Sequence, residues 1–314
     1  MQNPGLPKGI VPLIETPFLD GGGIDYDSLL RLIEETIAGG ANGLTAPLVA
    51  SEVHSLSNIE REELVTQAAR AIAGRVPFIV GASSNDPETC RQFAKLAQAV
   101  GATAYLVAVP NLLYGQPSAL LDFFRSIVAA SDAPLIIQDL QWNGPGLETD
   151  EIRRLRDELP TLVGLKIETV PAGPKYTMVR EVVGNEFYVS GGWAATQLIE
   201  ALDRGVDAMI PESALVRLFS ATYRAYASSH RQEAIRIFRE LIPVLAFSNQ
   251  EIFHSIAFFK RMLFRKGVLK CSDMRPPGYR WDRFNLRIAD DMIDYYLALE
   301  ARYPVPGNRV GFAS

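Results

Sequence analysis

Short apolar runs alternate with amphipathic stretches along most of this chain, and that alternation restricts the fold more than any other feature. Residues 9–14 read as a first strand, followed by a helical pattern that Asp25 caps and Gly39-Gly40 ends. Further strand and helix pairs are expected at 43–47 and 58–73, 76–81 and 86–100, 102–109 and 117–130, and 134–138 and 149–159. The sixth pair is 162–169 with 175–183 and the seventh 187–190 with 193–203; the eighth strand is 206–210, its helix ending near Tyr226. Parallel pairing follows, because each crossover between parallel strands needs a helix. Eight such units predict an α/β fold, a (β/α)8 TIM barrel. A doubly wound open sheet fits less well, since no glycine-rich phosphate fingerprint follows the first strand. The barrel is expected to take residues 1–228. Residues 229–314 are expected to form a C-terminal helical extension packed on it, with helices at 232–247, 251–265 and 282–301. The tail after Pro304 is expected to be poorly ordered.

Composition removes whole classes of function. At 314 residues and 48% hydrophobic content the chain can bury a large core, and α/β barrels of this size form one domain. A net charge of −5, with no basic or aromatic-basic cluster, argues against nucleic acid. No apolar run of membrane length and no cationic-then-apolar leader is present, which argues against a membrane partner. Cys90 and Cys271 are too few for a disulfide framework, so a cytoplasmic location is expected. His54, His230 and His254 lie far apart and make no metal-ligand spacing, so no metal is expected.

In such a barrel the chemistry sits at the carboxyl ends of the strands. The sixth strand ends in Leu165-Lys166-Ile167-Glu168-Thr169. Side chains alternate along a strand, so Lys166 and Glu168 share one face and Ile167 takes the other. Burial disfavours the ammonium form of a lysine, and a neutral lysine is a nucleophilic amine able to form a Schiff base with a carbonyl. The bland alternative is a strand-end lysine that reaches solvent and pairs with Glu168. Strand ends also nominate Gln138 and Asp139 after strand five, Ala50, Ser51 and Glu52 after strand two, and Tyr114 after strand four. Gly191 and Gly192 after strand seven make a turn where backbone can approach a ligand closely, and Ile210 closes strand eight. Glu212 beyond it suits either a polar ligand or a helix cap. Trp142, Trp193 and Phe18 read as core or rim, and His54 as solvated.

Several of these signs occur together and in order. They are Thr16-Pro17-Phe18, Glu52 followed by Leu56-Ser57 and Glu60-Arg61, and Val76-Pro77 with Gly81. Gly101-Ala102, Gly164-Leu165-Lys166 and Ser190-Gly191 complete the set. From Gly9 to about Tyr226, and more weakly beyond, the chain resembles the dihydrodipicolinate synthase and N-acetylneuraminate lyase superfamily. The resemblance implies a (β/α)8 lyase, commonly tetrameric, whose strand-six lysine forms an imine with pyruvate or another 2-oxo acid. Lys166 stands at that position, so the imine would need no separate cofactor. The implied partners are a small 2-oxo acid and further copies of the chain, as a dimer or tetramer.

The sequence departs from that pattern at several places. The substrate-carboxylate loop after strand two, Gly-Thr-Thr-Gly-Glu in the synthases and sialic-acid lyases, reads Leu48-Val49-Ala50-Ser51-Glu52 here. Only the glutamate is kept; Ser51 can offer a hydroxyl and an amide to a carboxylate, while Glu52 suits pinning the loop through backbone amides. The proton-relaying tyrosine that ends strand five is replaced by Gln138, and the synthase arginine beyond it has no counterpart in Leu140-Gln141-Trp142-Asn143-Gly144. The tyrosine pair after strand four becomes Asn111-Leu112, with Tyr114 slightly later, placed either to serve a neighbouring subunit or to pack. Gln138-Asp139 with Lys166-Ile167-Glu168-Thr169 resembles the L-2-keto-3-deoxyarabonate dehydratases. That branch implies lysine as nucleophile and loss of water from a 2-keto-3-deoxy sugar acid. Glu168 then becomes the first candidate for proton transfer, or else a carboxylate that only holds Lys166. Gln138 would orient a hydroxyl or the imine nitrogen, since an amide does not titrate usefully. Pyruvate-dependent aldolase, 4-hydroxy-tetrahydrodipicolinate synthase and a non-catalytic 2-oxo-acid binder stay open as alternatives.

Overall fold

The computed structural model describes residues 5–141 and 144–304, so Trp142, Asn143 and the tail after Pro304 lie outside the described residues. Within them the strands are β1 (Gly9–Ile10), β2 (Leu44–Ala46), β3 (Phe78–Gly81), β4 (Ala104–Ala108), β5 (Leu135–Asp139), β6 (Leu162–Ile167), β7 (Tyr188–Gly191) and β8 (Ala208–Met209). All neighbours pair in parallel, in the order β1-β8-β7-β6-β5-β4-β3-β2. A bridge from Leu13 to Thr45 joins the β1 segment to β2 and closes the ring. This is the (β/α)8 barrel that the alternation predicts.

The connecting helices are α1 (Tyr26–Ala38), α2 (Asn58–Ile72), α3 (Pro87–Ala99), α4 (Pro117–Val128), α5 (Thr149–Glu158), α6 (Ala172–Val183), α7 (Leu198–Asp203) and α8 (Val216–Ala227). Their starts follow local chemistry. Asp25 accepts from the Ser28 amide, Ser57 and Glu60 form a reciprocal capping box, and Asp86 caps a helix with proline at its first position. Three more helices follow the barrel: α9 (Arg231–Ser248), α10 (Ile252–Arg265) and α11 (Arg283–Glu300).

Strand alternation divides the apolar residues into two cores. Leu135, Ile137, Leu165 and Ile167 pack outward with the helices, while Ile79, Leu106, Ile136 and Ile210 fill the barrel interior. Several elements differ from their expected bounds; β8 shortens to Ala208–Met209 and α6 begins earlier, at Ala172, and two further cases have a clear local cause. The first strand is shorter than 9–14 because Pro12 has no N–H for the ladder, although Val11 and Leu13 still donate to Met209 and Pro211. The helix expected over 193–203 opens instead as a tight turn, with Trp193 and Ala195 at φ 53° and 55°, and becomes α-helical only at Leu198. The Trp193 amide is held by the Glu168 side chain, 2.7 Å away, so it turns toward the barrel mouth.

Candidate active site

Register decides which side chains meet at the mouth. Gln138 on β5 pairs with Lys166 on β6, and Lys166 pairs with Ser190 on β7. One further step of alternation along β6 brings Glu168 onto the face of Lys166. The Lys166 Nζ lies 2.8 Å from Glu168 Oε2, with the two side chains only 4% and 6% exposed. The ion pair therefore sits almost out of reach of water, where it is screened little. The Gln138 amide donates to the same Glu168 oxygen, and the Trp193 amide donates to the other. Gln138 thus orients the carboxylate rather than standing free to meet a substrate hydroxyl.

A cleft of about 460 Å³, including its open mouth, lies over these groups. Ala50, Gln138, Lys166, Glu168 and Ile210 line it, and so does Glu212. A second cleft lies on the far side of Glu168, bounded by Gln141, Thr169, Gly192 and Gln197. The space above Gly192 is taken by the site itself. A Cβ there would come within 2.0 Å of Glu168 Oε1 and 2.8 Å of Lys166 Cε, so the residue must be glycine for Lys166 and Glu168 to lie where they do. At Gly191 a Cβ would meet the Tyr176 hydroxyl at 2.2 Å. Gly191 thus makes room for Tyr176, and Gly192 makes room for Glu168 and Lys166 while also bordering the second cleft.

The remaining nominated residues have other partners. Asp139 is out of phase with Gln138 along β5 and is fully buried on the other side. Its carboxylate accepts from the Leu147 amide and from the Tyr114 hydroxyl at 3.0 Å, and lies 3.8 Å from Lys175 Nζ. Burial raises the Asp139 carboxyl above the usual range, and burial together with Asp139 raises the Tyr114 phenol. Tyr114 is therefore engaged within its own chain, against the nearby loop. Ser51 is buried, its hydroxyl donating to Ile14 O at 2.6 Å and accepting from the Leu48 amide. That hydroxyl holds the loop and is not presented to the cleft. Glu52, at φ 58°, pairs with Lys260 Nζ of α10 at 2.6 Å and accepts from the Arg275 amide at 3.1 Å. Phe18 is core, with the Lys260 and Arg275 side chains over its ring, and His54 is exposed.

Three buried ionisable groups stand out that the strand-end reading did not bring together. Lys260 is fully buried, and burial lowers its affinity for a proton. Glu15 is also buried, and burial pushes its carboxyl up to about 7 despite a hydrogen bond from Ser213. Glu212 is 4% exposed, and its Oε2 has no hydrogen-bond partner among the described residues. Burial, then the neighbouring Glu15, raises its carboxyl well above the usual range. A carboxylate between Ile14 and Thr16, and a lysine inside the apolar run 255–264, were the available signals. Among the described residues, Asp20, Cys271 and Asp273 bring possible metal ligands within 4.8 Å of one another, but two of the three are exposed. Among the described residues no helix is long and apolar enough to cross a membrane.

Comparison with known proteins agrees with this architecture. A 4-hydroxy-tetrahydrodipicolinate synthase of Ruegeria pomeroyi is 32% identical over 61% of this chain, a match that spans 65% of the relative's length. The L-2-keto-3-deoxyarabonate dehydratase of Azospirillum brasilense is 24% identical over 86% of this chain and 88% of its own. A solved sialic acid aldolase of Ruminococcus gnavus, a catalytic lysine mutant, is 16% identical with a TM-score of 0.86, covering 94% of this chain and 97% of that one. At that identity the likeness concerns the fold alone. The model of the dihydrodipicolinate synthetase family matches residues 6–283. The chain belongs to that family.

Proposed function

We propose that this protein is a Schiff-base lyase that removes water from a 2-keto-3-deoxy sugar acid. The observation that carries the reading is the Lys166–Glu168 pair, 2.8 Å apart and nearly buried at the cleft, with Gln138 fixing the carboxylate where a proton-relaying tyrosine is absent. Lys166 Nζ attacks the C2 carbonyl and a water molecule leaves, forming an iminium. The iminium acidifies the C3 protons, and Glu168, within hydrogen-bond reach of the amine, removes one to give an enamine. The enamine then expels the hydroxyl on C4. Ala50 and Ile210 line the cleft and would bound the substrate, and assembly into dimers or tetramers accompanies the reading. The likeness to a dehydratase over 86% of the chain supports it.

Condensation or cleavage through pyruvate is the second reading, favoured by the synthase names among the relatives. It asks for an arginine and a tyrosine that the run from Gln138 to Gly144 does not contain. The deciding test is borohydride trapping with pyruvate and with L-2-keto-3-deoxyarabonate, followed by mass mapping. An adduct on Lys166 is expected, absent in Lys166→Ala and in Lys166→Arg, since a guanidinium does not form the imine. Release of an unsaturated or rearranged 2-oxo acid from the deoxy sugar acid supports the dehydratase. Trapping at another lysine, or at none, would overturn the Schiff-base assignment.

A further inference from the structure

We propose that Glu212 is the acid that protonates the departing C4 hydroxyl, an assignment that rests on the dehydratase reading. Elimination needs two groups of opposite character, a base for C3 and an acid for the oxygen on C4. Glu168 is unsuited to the second task. Its oxygens are already engaged as acceptors by Lys166 Nζ, the Gln138 amide and the Trp193 amide, so neither is aimed at an oxygen on C4. Glu212 has the reverse environment in the same cleft. It is buried, lines the wall, and has an oxygen with no donor among the described residues.

Elimination among the neighbours leads to the same residue. Of the described residues lining the cleft, the ionisable ones are Lys166, Glu168 and Glu212. Tyr114 spends its hydroxyl on Asp139, and both lie outside the cleft lining. The charged surroundings of Glu212 come from three elements. Glu15 faces it from the segment after β1, Lys166 and Glu168 from β6, and Lys260 of α10 acts through Glu15. Glu15 is itself buried, and ionising both acids would place two like charges together without water. Burial and the neighbouring Glu15 therefore favour the protonated form of Glu212, although Lys166 opposes them, and this direction agrees with the geometry. The side chain with an oxygen lacking a donor among the described residues takes the acid role, and the one held by three donors beside the amine takes the base role.

The step balances as follows. Glu168 has taken the C3 proton, and the enamine electrons form the C3–C4 double bond while the C4–O bond breaks. The Glu212 proton joins the departing hydroxide, so water leaves and the C2 iminium is restored. When a second water adds at C2 to free Lys166, one of its protons returns to Glu212, and Glu168 releases its proton to solvent.

The test compares two leaving groups on the intact enzyme: L-2-keto-3-deoxyarabonate and its analogue with fluorine in place of the C4 hydroxyl. Fluoride is a far weaker base than hydroxide and departs without a full proton. Glu212→Gln should still be trapped by borohydride and should still exchange C3 protons for deuterium. Its elimination of water should fall about 10²- to 10⁴-fold, the usual worth of a positioned acid, while fluoride elimination stays near the wild-type rate. Glu212→Asp, as a second variant, should lose less and show the same dependence on the leaving group. Equal losses for both substrates, or loss of C3 exchange, would assign Glu212 a structural role only. An unchanged rate of water loss would also overturn the proposal. A wild-type enzyme that forms the imine but eliminates neither group refutes the dehydratase reading itself, and this role with it.

Discussion

Replacing Glu168 by glutamine separates imine formation from proton removal. The carboxylate accepts from three donors: Lys166 Nζ at 2.8 Å, the Gln138 amide, and the Trp193 amide at 2.7 Å. A glutamine has one acceptor oxygen and one NH₂ group. If its oxygen faces Trp193, its NH₂ meets the donors of Lys166 and Gln138; flipped, it meets the Trp193 N–H. Either way at least one buried donor goes unpaired, at about 1–3 kcal/mol. The variant should therefore fold with reduced stability. The imine should still form. Removal of the C3 proton should slow by about 10²- to 10⁴-fold, or about 3–5 kcal/mol at the barrier. Deuterium incorporation at C3, followed by NMR in D₂O, reads that step alone, and trapping of the adduct reads the one before it. Unchanged C3 exchange alongside normal trapping would remove Glu168 as the base. Loss of trapping with C3 exchange still proportional to the adduct would reduce it to a support for Lys166.

Two further outcomes concern stability. Burial raises the Glu15 carboxyl from 4.5 to about 7, so its contribution to folding is complete below about pH 4.5 and is lost as pH rises through about 7. Glu15→Gln should accordingly gain on the wild type between pH 5 and pH 8, by up to about 3 kcal/mol in urea unfolding; a pH-independent difference would contradict the raised value. Lys260→Met leaves the Glu52 carboxylate buried without its cation and should cost about 3–5 kcal/mol. Adding Glu52→Gln, which still accepts from the Arg275 amide, should recover part of that loss, and strictly additive losses in a double-mutant cycle would show that the pair is not coupled.

The barrel was legible because its signal is repeated: apolar strands, capped helices and glycine stops recur with one period, and local chemistry sets each element. Alternation along β6 was likewise enough to bring Lys166 and Glu168 onto one face. The same rule, applied to β5, separates Gln138 from Asp139, yet both had been nominated for the mouth by strand position alone. What local pattern does not carry is the set of partners met across the closed ring. Glu212 lies beside the first segment because Leu13 pairs with it, and Glu15 meets Ser213, 198 positions later. Nor does a turn reveal what fills the space above it: over Gly192 that space holds Glu168 and Lys166.

The junction of Glu52 with Lys260 and the Arg275 amide spans 208 and 223 positions of sequence, and it anchors the loop that carries Ala50 into the cleft. Inheritance of that loop is therefore tied to inheritance of α10 and the segment after it. A recombination event with its crossover anywhere between the two would take the acid from one parent and the base from the other. Where the parents differ at either position, the hybrid receives an unmatched buried charge beneath its substrate loop. Exchanges confined to the loop tip escape this constraint, so the rim of the cleft can diversify quickly while its anchor and the distant helix change only together.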